Sequence, residues 1–370
     1  MRIGYNARLL TSPDLRGWNR YTINVLEALM RLGVEPILYA DRPIHPAHAA
    51  RLAGADVRVA PPMAYDVWEQ VWLPRQSDRD DVALLHSPFN FGLPWFSRRS
   101  RVLTLHDAID RVYAPSRSTP SIAGFRERLR HWIARTRAHR VITVSDHAKN
   151  DLVRRLGIAA EKVVVIHEAS DPAFHQEPTE AKRREVHRRF DLASPYLFYV
   201  GGWERRKNIS FLVRAFAEAD VDGLDLVLAG GKDDQRDELV RLGDSLGLGR
   251  RLRLLGRVDD ADLPSLYAEA IGFVYPSEYE GFGLQICEAL AMGVPVLASD
   301  ATSLPEVLGD GGETFTLRST RPLADLIRRL ATDPAYREEL VRRARSRSAL
   351  FSWDRTAAAT LAVYRDLGAS

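Results

Sequence analysis

Apolar residues in this chain fall into short unbroken runs, separated by stretches in which they recur every three or four positions. Val82-Ala-Leu-Leu-His86, Arg101-Val-Leu-Thr-Leu-His106 and Arg140-Val-Ile-Thr-Val-Ser145 are runs of strand length, each closing on a polar residue. Arg2 to Asn6 and Pro36 to Tyr39 read as further strands, with an amphipathic helix over Arg20 to Leu32 between them. A second series starts near Tyr196, with strands over Leu197 to Gly201, Leu224 to Ala229, Leu252 to Gly256, Ile271 to Tyr275 and Pro295 to Ser299. Helices over Ser210 to Ala219, Arg236 to Leu246, Asp260 to Ala270 and Leu284 to Met292 separate those strands. Unbroken apolar strands alternating with helices specify parallel sheets covered on both faces, and such sheets bind ligands beyond the C-terminal ends of their strands. The fold class is therefore α/β, with two doubly wound domains. The polar stretch Asp171 to Ser194, with Pro172, Pro178 and a helix over Glu180 to Phe190, reads as the linker. It sets domains at 1–175 and 176–350, and the last segment, opening at Ser352, reads as a capped helix over 351–370.

A length of 370 residues suits two such domains, and 45% hydrophobic with 27% charged residues is a globular composition. No apolar stretch is long enough to span a bilayer, and Met1-Arg-Ile-Gly-Tyr-Asn6 lacks the apolar core of a leader, so the sequence predicts a cytoplasmic protein. Its single cysteine, Cys287, excludes an intrachain disulfide and reads as a small packing residue. A net charge of +3 argues against a general nucleic-acid binder. Arg126, Arg128, Arg130, Arg135, Arg137 and Arg140 share a stretch with Phe125, Leu129, Trp132 and Ile133. That pattern suits peripheral contact with an anionic inner membrane face, or equally a solvated face over the domain's own core. No Gly-x-Gly-x-x-Gly follows the first strand, and no phosphate-binding Gly-x-x-x-x-Gly-Lys-Ser/Thr loop is present, against dinucleotide dehydrogenases and NTPases. Asp-x-Asp occurs at Asp78, Asp220 and Asp260, in loops or helix starts where aspartate serves as a cap, and the histidines show no metal-ligand spacing.

Chemistry concentrates in Ser277-Glu-Tyr-Glu-Gly-Phe-Gly-Leu-Gln-Ile-Cys-Glu288, where two carboxylates, Glu280 and Glu288, bracket a glycine turn that opens a helix. A helix N-terminus aims unused amides and a partial positive charge at whatever precedes it, and Gly281 and Gly283 remove the side chains that would block a phosphate. Glu280 on the loop and Glu288 one turn into the helix add acceptors for hydroxyl groups, so the pair suits a ligand with both phosphate and sugar. Spacing alone also fits two solvated charges on an amphipathic helix. Gly201-Gly-Trp-Glu-Arg-Arg-Lys-Asn208 lies between a strand and a helix, which puts Arg206 and Lys207 at the edge of the second sheet, ready to neutralise a diphosphate. In the first domain, His106 closes a strand and is followed by Asp107, a better placement for chemistry than a lone surface histidine has.

With Glu280 and Glu288 separated by seven residues, the chain resembles the retaining GT-B glycosyltransferases of family four. The resemblance spans nearly the whole chain and is strongest from Gly201 to Asp300. It implies two Rossmann-like domains facing across a cleft, with the C-terminal helix crossing back onto the first domain. It implies transfer of a hexose such as mannose from a nucleotide-diphosphate sugar, a co-substrate used without metal or other cofactor, to a glycan or lipid-linked acceptor. Arg206 and Lys207 would contact the diphosphate, Glu280 the donor sugar and Glu288 the ribose, with Phe282, Gly283 and Leu284 at the phosphate or sugar edge. The backbone of Gly256, Arg257 and Val258 would hold the base, and His106 would lie near the donor sugar. Gly17 belongs to a glycine-rich loop in which Arg16 replaces the usual first glycine; it would approach the leaving phosphate or the acceptor. Gly202 stands where many members carry an arginine, leaving Arg205 to compensate. His86 to Asn90 and Val144 to Asp146 resemble further ligand-lining segments. A nucleotide-sugar epimerase and a non-catalytic sugar-nucleotide-binding subunit share this framework; His106 with the paired glutamates argues against the first, and the presence of Glu280, Lys207 and His106 together against the second.

Overall fold

The computed structural model describes residues 1–13, 17–113, 122–193, 195–231 and 233–369, with the backbone alone for 122–125 and 233–234. It divides into two compact units, Met1–Glu168 with Ser352–Ser370, and Ala169–Phe351.

The first unit holds a sheet of seven parallel strands: β1 (Arg2–Asn6), β2 (Glu35–Ala40), β3 (Asp56–Val59), β4 (Leu84–Ser87), β5 (Ser100–Thr104), β6 (Arg140–Thr143) and β7 (Val163–Val165). Their order across the sheet is β3-β2-β1-β4-β5-β6-β7. The second unit holds six: β8 (Tyr196–Gly201), β9 (Asp225–Gly230), β10 (Leu252–Gly256), β11 (Gly272–Tyr275), β12 (Val296–Ser299) and β13 (Glu313–Phe315), ordered β10-β9-β8-β11-β12-β13. Every pairing is parallel, as unbroken apolar strands with helical crossovers require. Both units are thus doubly wound α/β folds. The chain order reverses between β1 and β4 in the first sheet and between β8 and β11 in the second. Loops beyond the C-terminal ends of those strand pairs part in opposite directions and leave a crevice for ligands.

The strands at these reversals are the apolar runs. β4 and β11 are buried along their whole length. Three strands absent from the sequence reading are at or near the sheet margins: β3 is mostly exposed, and β7 and β13 have three residues each. A very short or mostly exposed edge strand buries little, so hydrophobic patterning does not mark it, whereas the half-buried edge strand β10 was marked. Other boundaries shift. The first long helix runs Gly17–Arg31, three residues earlier than the apolar periodicity placed it, so Gly17 starts a helix instead of lying in a loop. The helix expected over Asp260 to Ala270 shrinks to Leu263–Ala268, because Asp260 lies in a turn. The described part of the stretch Asp171 to Ser194, Asp171 to Ala193, folds into the second unit, where the helix Glu180–Phe190, capped by the Thr179 side chain, packs on Leu263–Ala268.

The arginine-rich stretch forms the helix Ile122–Arg137, with Arg140 already in β6. Leu129, Trp132, Ile133 and Ala134 pack on a core that includes Leu103, Leu105, Val141 and Leu152, while Arg126, Arg128 and Arg135 are exposed. The described apolar face therefore covers the unit's own core; the Phe125 side chain lies outside the described residues. Among the described residues no helix is long and apolar enough to cross a membrane. The helix Trp353–Asp366 belongs to the first unit: Ser352 caps it, it packs on Gly17–Arg31, and Thr356 Oγ1 donates to His167 O at 2.7 Å.

Candidate active site

In the second unit the loop after β8 and the loop after β11 meet at the reversal. Lys207 Nζ donates to Glu280 Oε1 at 2.6 Å and to the Tyr275 hydroxyl at 2.8 Å. The same carboxylate oxygen accepts from Ser277 Oγ at 2.5 Å, Tyr275 OH at 3.1 Å and Arg206 Nη1 at 3.2 Å. All of these bonds to the carboxylate converge on Oε1. The Lys207 and Glu280 side chains are 7% and 12% exposed, so the pair is sunk in the sheet edge but reachable. Burial pushes the Glu280 carboxyl up, but the charges of Lys207 and Arg206 with the bonds from Lys207 and Ser277 outweigh it and hold it below the ordinary carboxylate range. Burial lowers Lys207, with Glu280 opposing. Burial and then the Glu280 charge hold the Tyr275 phenol well above its ordinary value, so it remains a donor.

The turn after Glu280 is braced from behind. Glu280 N donates to Thr302 Oγ1 at 3.0 Å, and Ser303 Oγ donates to Glu280 O at 3.0 Å and to Phe282 O at 2.9 Å. Gly283 has φ +110°, a conformation that favours glycine, and a Cβ there would lie 2.9 Å from Leu304 Cδ2 and displace that side chain. It precedes the helix Leu284–Ala291, and its carbonyl accepts from the Ile286 amide at 2.9 Å. Glu288, on that helix, is 4% exposed and accepts from the Tyr267 hydroxyl at 2.9 Å, which fixes its orientation. Cys287 is buried beside it as a packing residue.

The structure thus gathers Arg206, Lys207 and Glu280 into one cluster and sets Phe282, Gly283, Leu284 and Glu288 on the turn and helix next to it. Arg257 and Val258 follow β10, the edge strand two places from β8, about 10 Å along the same sheet margin. At Gly202 the space where another member would place a side chain holds the Glu204 carboxylate. Arg205, named as compensation for the absent arginine, is exposed and lines a depression with Trp203, Glu204 and Asn208. Sequence reasoning missed Tyr275, Ser277 and Tyr267. Tyr275 ends β11 at the reversal, the one placement that could have marked it; Tyr267 comes from a helix with no local sign of a site.

His106 belongs to the first unit and follows β5 by two residues. Its amide donates to Asn90 Oδ1 at 2.8 Å, its Nδ1 lies 2.8 Å from Glu168 Oε1 and its Nε2 lies 3.1 Å from Pro88 O. The segment His86 to Asn90 therefore cradles it. Trp18, next to Gly17, stacks on the ring at 6.1 Å, and Tyr21 meets it edge-on at 4.8 Å. Gly17 itself is exposed with nothing within 4 Å of a Cβ, while Leu15 and Arg16 of its loop lie outside the described residues. Ser145 caps the helix Asp146–Leu156 by accepting from Ala148 N at 3.0 Å, a structural role. Glu168, 3% exposed, is a partner that the sequence reading did not name.

No group of three or more His, Cys, Asp or Glu among the described residues is placed to hold a metal. Two aspartates of the Asp-x-Asp pairs serve elsewhere: Asp78 pairs with Arg99, and Asp262 with Lys182 and Arg189.

Residues 15–174 match the family described as "Glycosyltransferase Family 4", and residues 182–347 match "Glycosyl transferases group 1". O-antigen chain mannosyltransferase B of Escherichia coli is 34% identical over 290 residues, 76% of this chain and 74% of that one. This protein is a GT-B glycosyltransferase of that family. The glycosyltransferase is also 32% identical, over 227 residues, to the serotype-specific mannosyltransferase WbdA of Escherichia coli, spanning 60% of this chain and only 28% of WbdA. Among solved structures, Anabaena Alr3699/HepE in complex with UDP-glucose superposes over 98% of this chain and all of that one, with a TM-score of 0.77 at 19% identity, a likeness of fold.

Proposed function

We propose that this glycosyltransferase moves a hexose from a nucleotide-diphosphate sugar to a hydroxyl of a glycan or lipid-linked saccharide, with retention at the anomeric carbon. The observation that carries the reading is the Arg206–Lys207–Glu280 cluster at the strand reversal of the second sheet, beside the glycine turn and helix N-terminus at Gly283. Cations and amides together suit a diphosphate, whose departing charge they stabilise. Glu280 then offers its carboxylate to hydroxyls of the donor sugar, and Glu288, steadied by Tyr267, takes the ribose hydroxyls. A base held by the backbone at Gly256 to Val258 fits the distance along the sheet margin. In the first unit His106 serves the donor sugar, with Gly17 on the phosphate or acceptor side.

In the transfer the bond from C1 to the diphosphate oxygen breaks, the acceptor oxygen bonds C1 on the same face, and the acceptor proton passes to the departing phosphate. The cluster contributes charge stabilisation to this step, and no covalent nucleophile is required of the chain. Two mannosyltransferases among the relatives favour mannose as the sugar, while the neighbour solved with UDP-glucose keeps glucose and a uridine nucleotide in the test. Calorimetric binding of GDP-mannose, UDP-glucose and related donors, followed by transfer to saccharide acceptors, checks the donor. NMR coupling at the new anomeric bond checks the stereochemistry: an α-linked donor gives an α-linked product, and a β-linked product overturns the roles assigned here.

A further inference from the structure

We propose that Glu168 is a positioning residue that holds His106 as a doubly protonated imidazolium, so that His106 acts in the transfer as a fixed cation, never as a general base. The inference rests on the functional reading above for its catalytic meaning, but its structural half stands alone. A backbone carbonyl can only accept, so Pro88 O at 3.1 Å requires a proton on Nε2. The Glu168 carboxylate at 2.8 Å requires one on Nδ1. A neutral imidazole carries a single N–H and satisfies both partners only if Glu168 gives up its own charge and donates instead.

The surroundings favour the ionic form. The side chains of His106 and Glu168 are 8% and 4% exposed, so a charge on either one alone would be costly and the two are stable as a pair. The titratable groups facing the ring from each packed element are Glu168 after β7, Asp107 beside it, His86 at the end of β4, and Tyr21 on the helix Gly17–Arg31. Two of these are carboxylates. Burial, and after it the charge of His106, holds His86 neutral, and Tyr21 is a phenol pushed well above neutral pH by burial. Burial pushes His106 down, but the bond to Glu168 and its charge outweigh that and leave it above the ordinary histidine value. The stacked face of Trp18 suits a cation as well. With both nitrogens engaged, His106 has no lone pair for an acceptor proton.

The test uses the whole 370-residue chain without ligand, so it does not depend on knowing the donor. Long-range 1H–15N NMR of the imidazole rings, with His106 assigned by its loss in His106→Gln, should show both ring nitrogens protonated at pH 7. In Glu168→Gln the amide keeps the shape and donates to Nδ1, so His106 should become the neutral Nε2–H tautomer, its midpoint falling by about 1 unit or more. With an active donor and acceptor, Glu168→Gln should lower kcat by about ten- to a hundredfold with little change in the donor KM, and its alkaline limb should move to lower pH. A neutral His106 in the wild-type protein at pH 7 overturns the proposal whatever the variant does. An imidazolium confirmed by NMR in a protein that transfers no sugar would instead overturn the functional reading and leave the pair intact.

Discussion

Replacing Lys207 with alanine tests the donor site most directly, because it removes a cation that is both structural and, in the proposed reaction, electrostatic. Lys207 Nζ is bonded to Glu280 Oε1 at 2.6 Å and to Tyr275 OH at 2.8 Å, with the side chain 7% exposed. Stripping a buried charge of its only partner costs about 3–5 kcal/mol. Glu280 would keep Arg206, Ser277 and Tyr275, so the expected cost is lower, about 2–3 kcal/mol. For a unit of this size that is a fall of about 4–12 °C in the unfolding midpoint. Loss of the cation beside the departing diphosphate should add about 2–4 kcal/mol to the transition state, or about 30- to 1,000-fold in kcat/KM. The assay is steady-state transfer at saturating acceptor with varied donor, alongside nucleotide binding by calorimetry and a thermal scan. A lower midpoint with unchanged kcat/KM would make Lys207 a brace for the Glu280 loop and nothing more. Unchanged values in all three measurements would refute the placement altogether.

Glu280→Gln, which keeps the shape and removes the charge, should fold but lose at least about tenfold in kcat/KM, as charge-assisted bonds to Lys207 and the sugar become neutral ones; wild-type turnover would return Glu280 to a purely structural role. Stability should fall with acid through His86, which burial and the His106 charge push down to about 3. Because the folded value lies below the unfolded one of about 6.5, the contribution is complete above pH 6.5 and is lost progressively toward pH 3, up to about 4–5 kcal/mol. Denaturant titrations of wild type and His86→Gln check this, and parallel curves from pH 7 to 4 would count against it. His106 has the opposite sign: its raised value makes its contribution complete below the ordinary histidine range and lost as pH rises through the folded value. Transfer should survive EDTA after dialysis; loss reversed specifically by manganese or magnesium would reopen the Asp-x-Asp sequences.

Hydrophobic patterning alone determined that this chain makes two parallel sheets, because strands buried on both faces need unbroken apolar runs and these run through β4, β5, β6, β8, β9 and β11. The Glu280 to Glu288 segment and Arg206-Lys207 were also legible, since a glycine turn, a helix start and flanking charges are contiguous signals. What the sequence left open depends on partners far away along the chain. Whether Lys207 faces solvent or Glu280 is decided by β8 and β11 lying side by side at the strand reversal, which brings together residues 73 positions apart. The proton state of His106 is decided by Glu168, 62 positions away and brought in by the order β5-β6-β7. Tyr267 and Tyr275 look like ordinary core aromatics until the fold turns their hydroxyls onto carboxylates. The marginal strands β3, β7 and β13 escaped for a related reason: they pair by backbone hydrogen bonds that any side chain permits, so only the neighbouring strand reveals them.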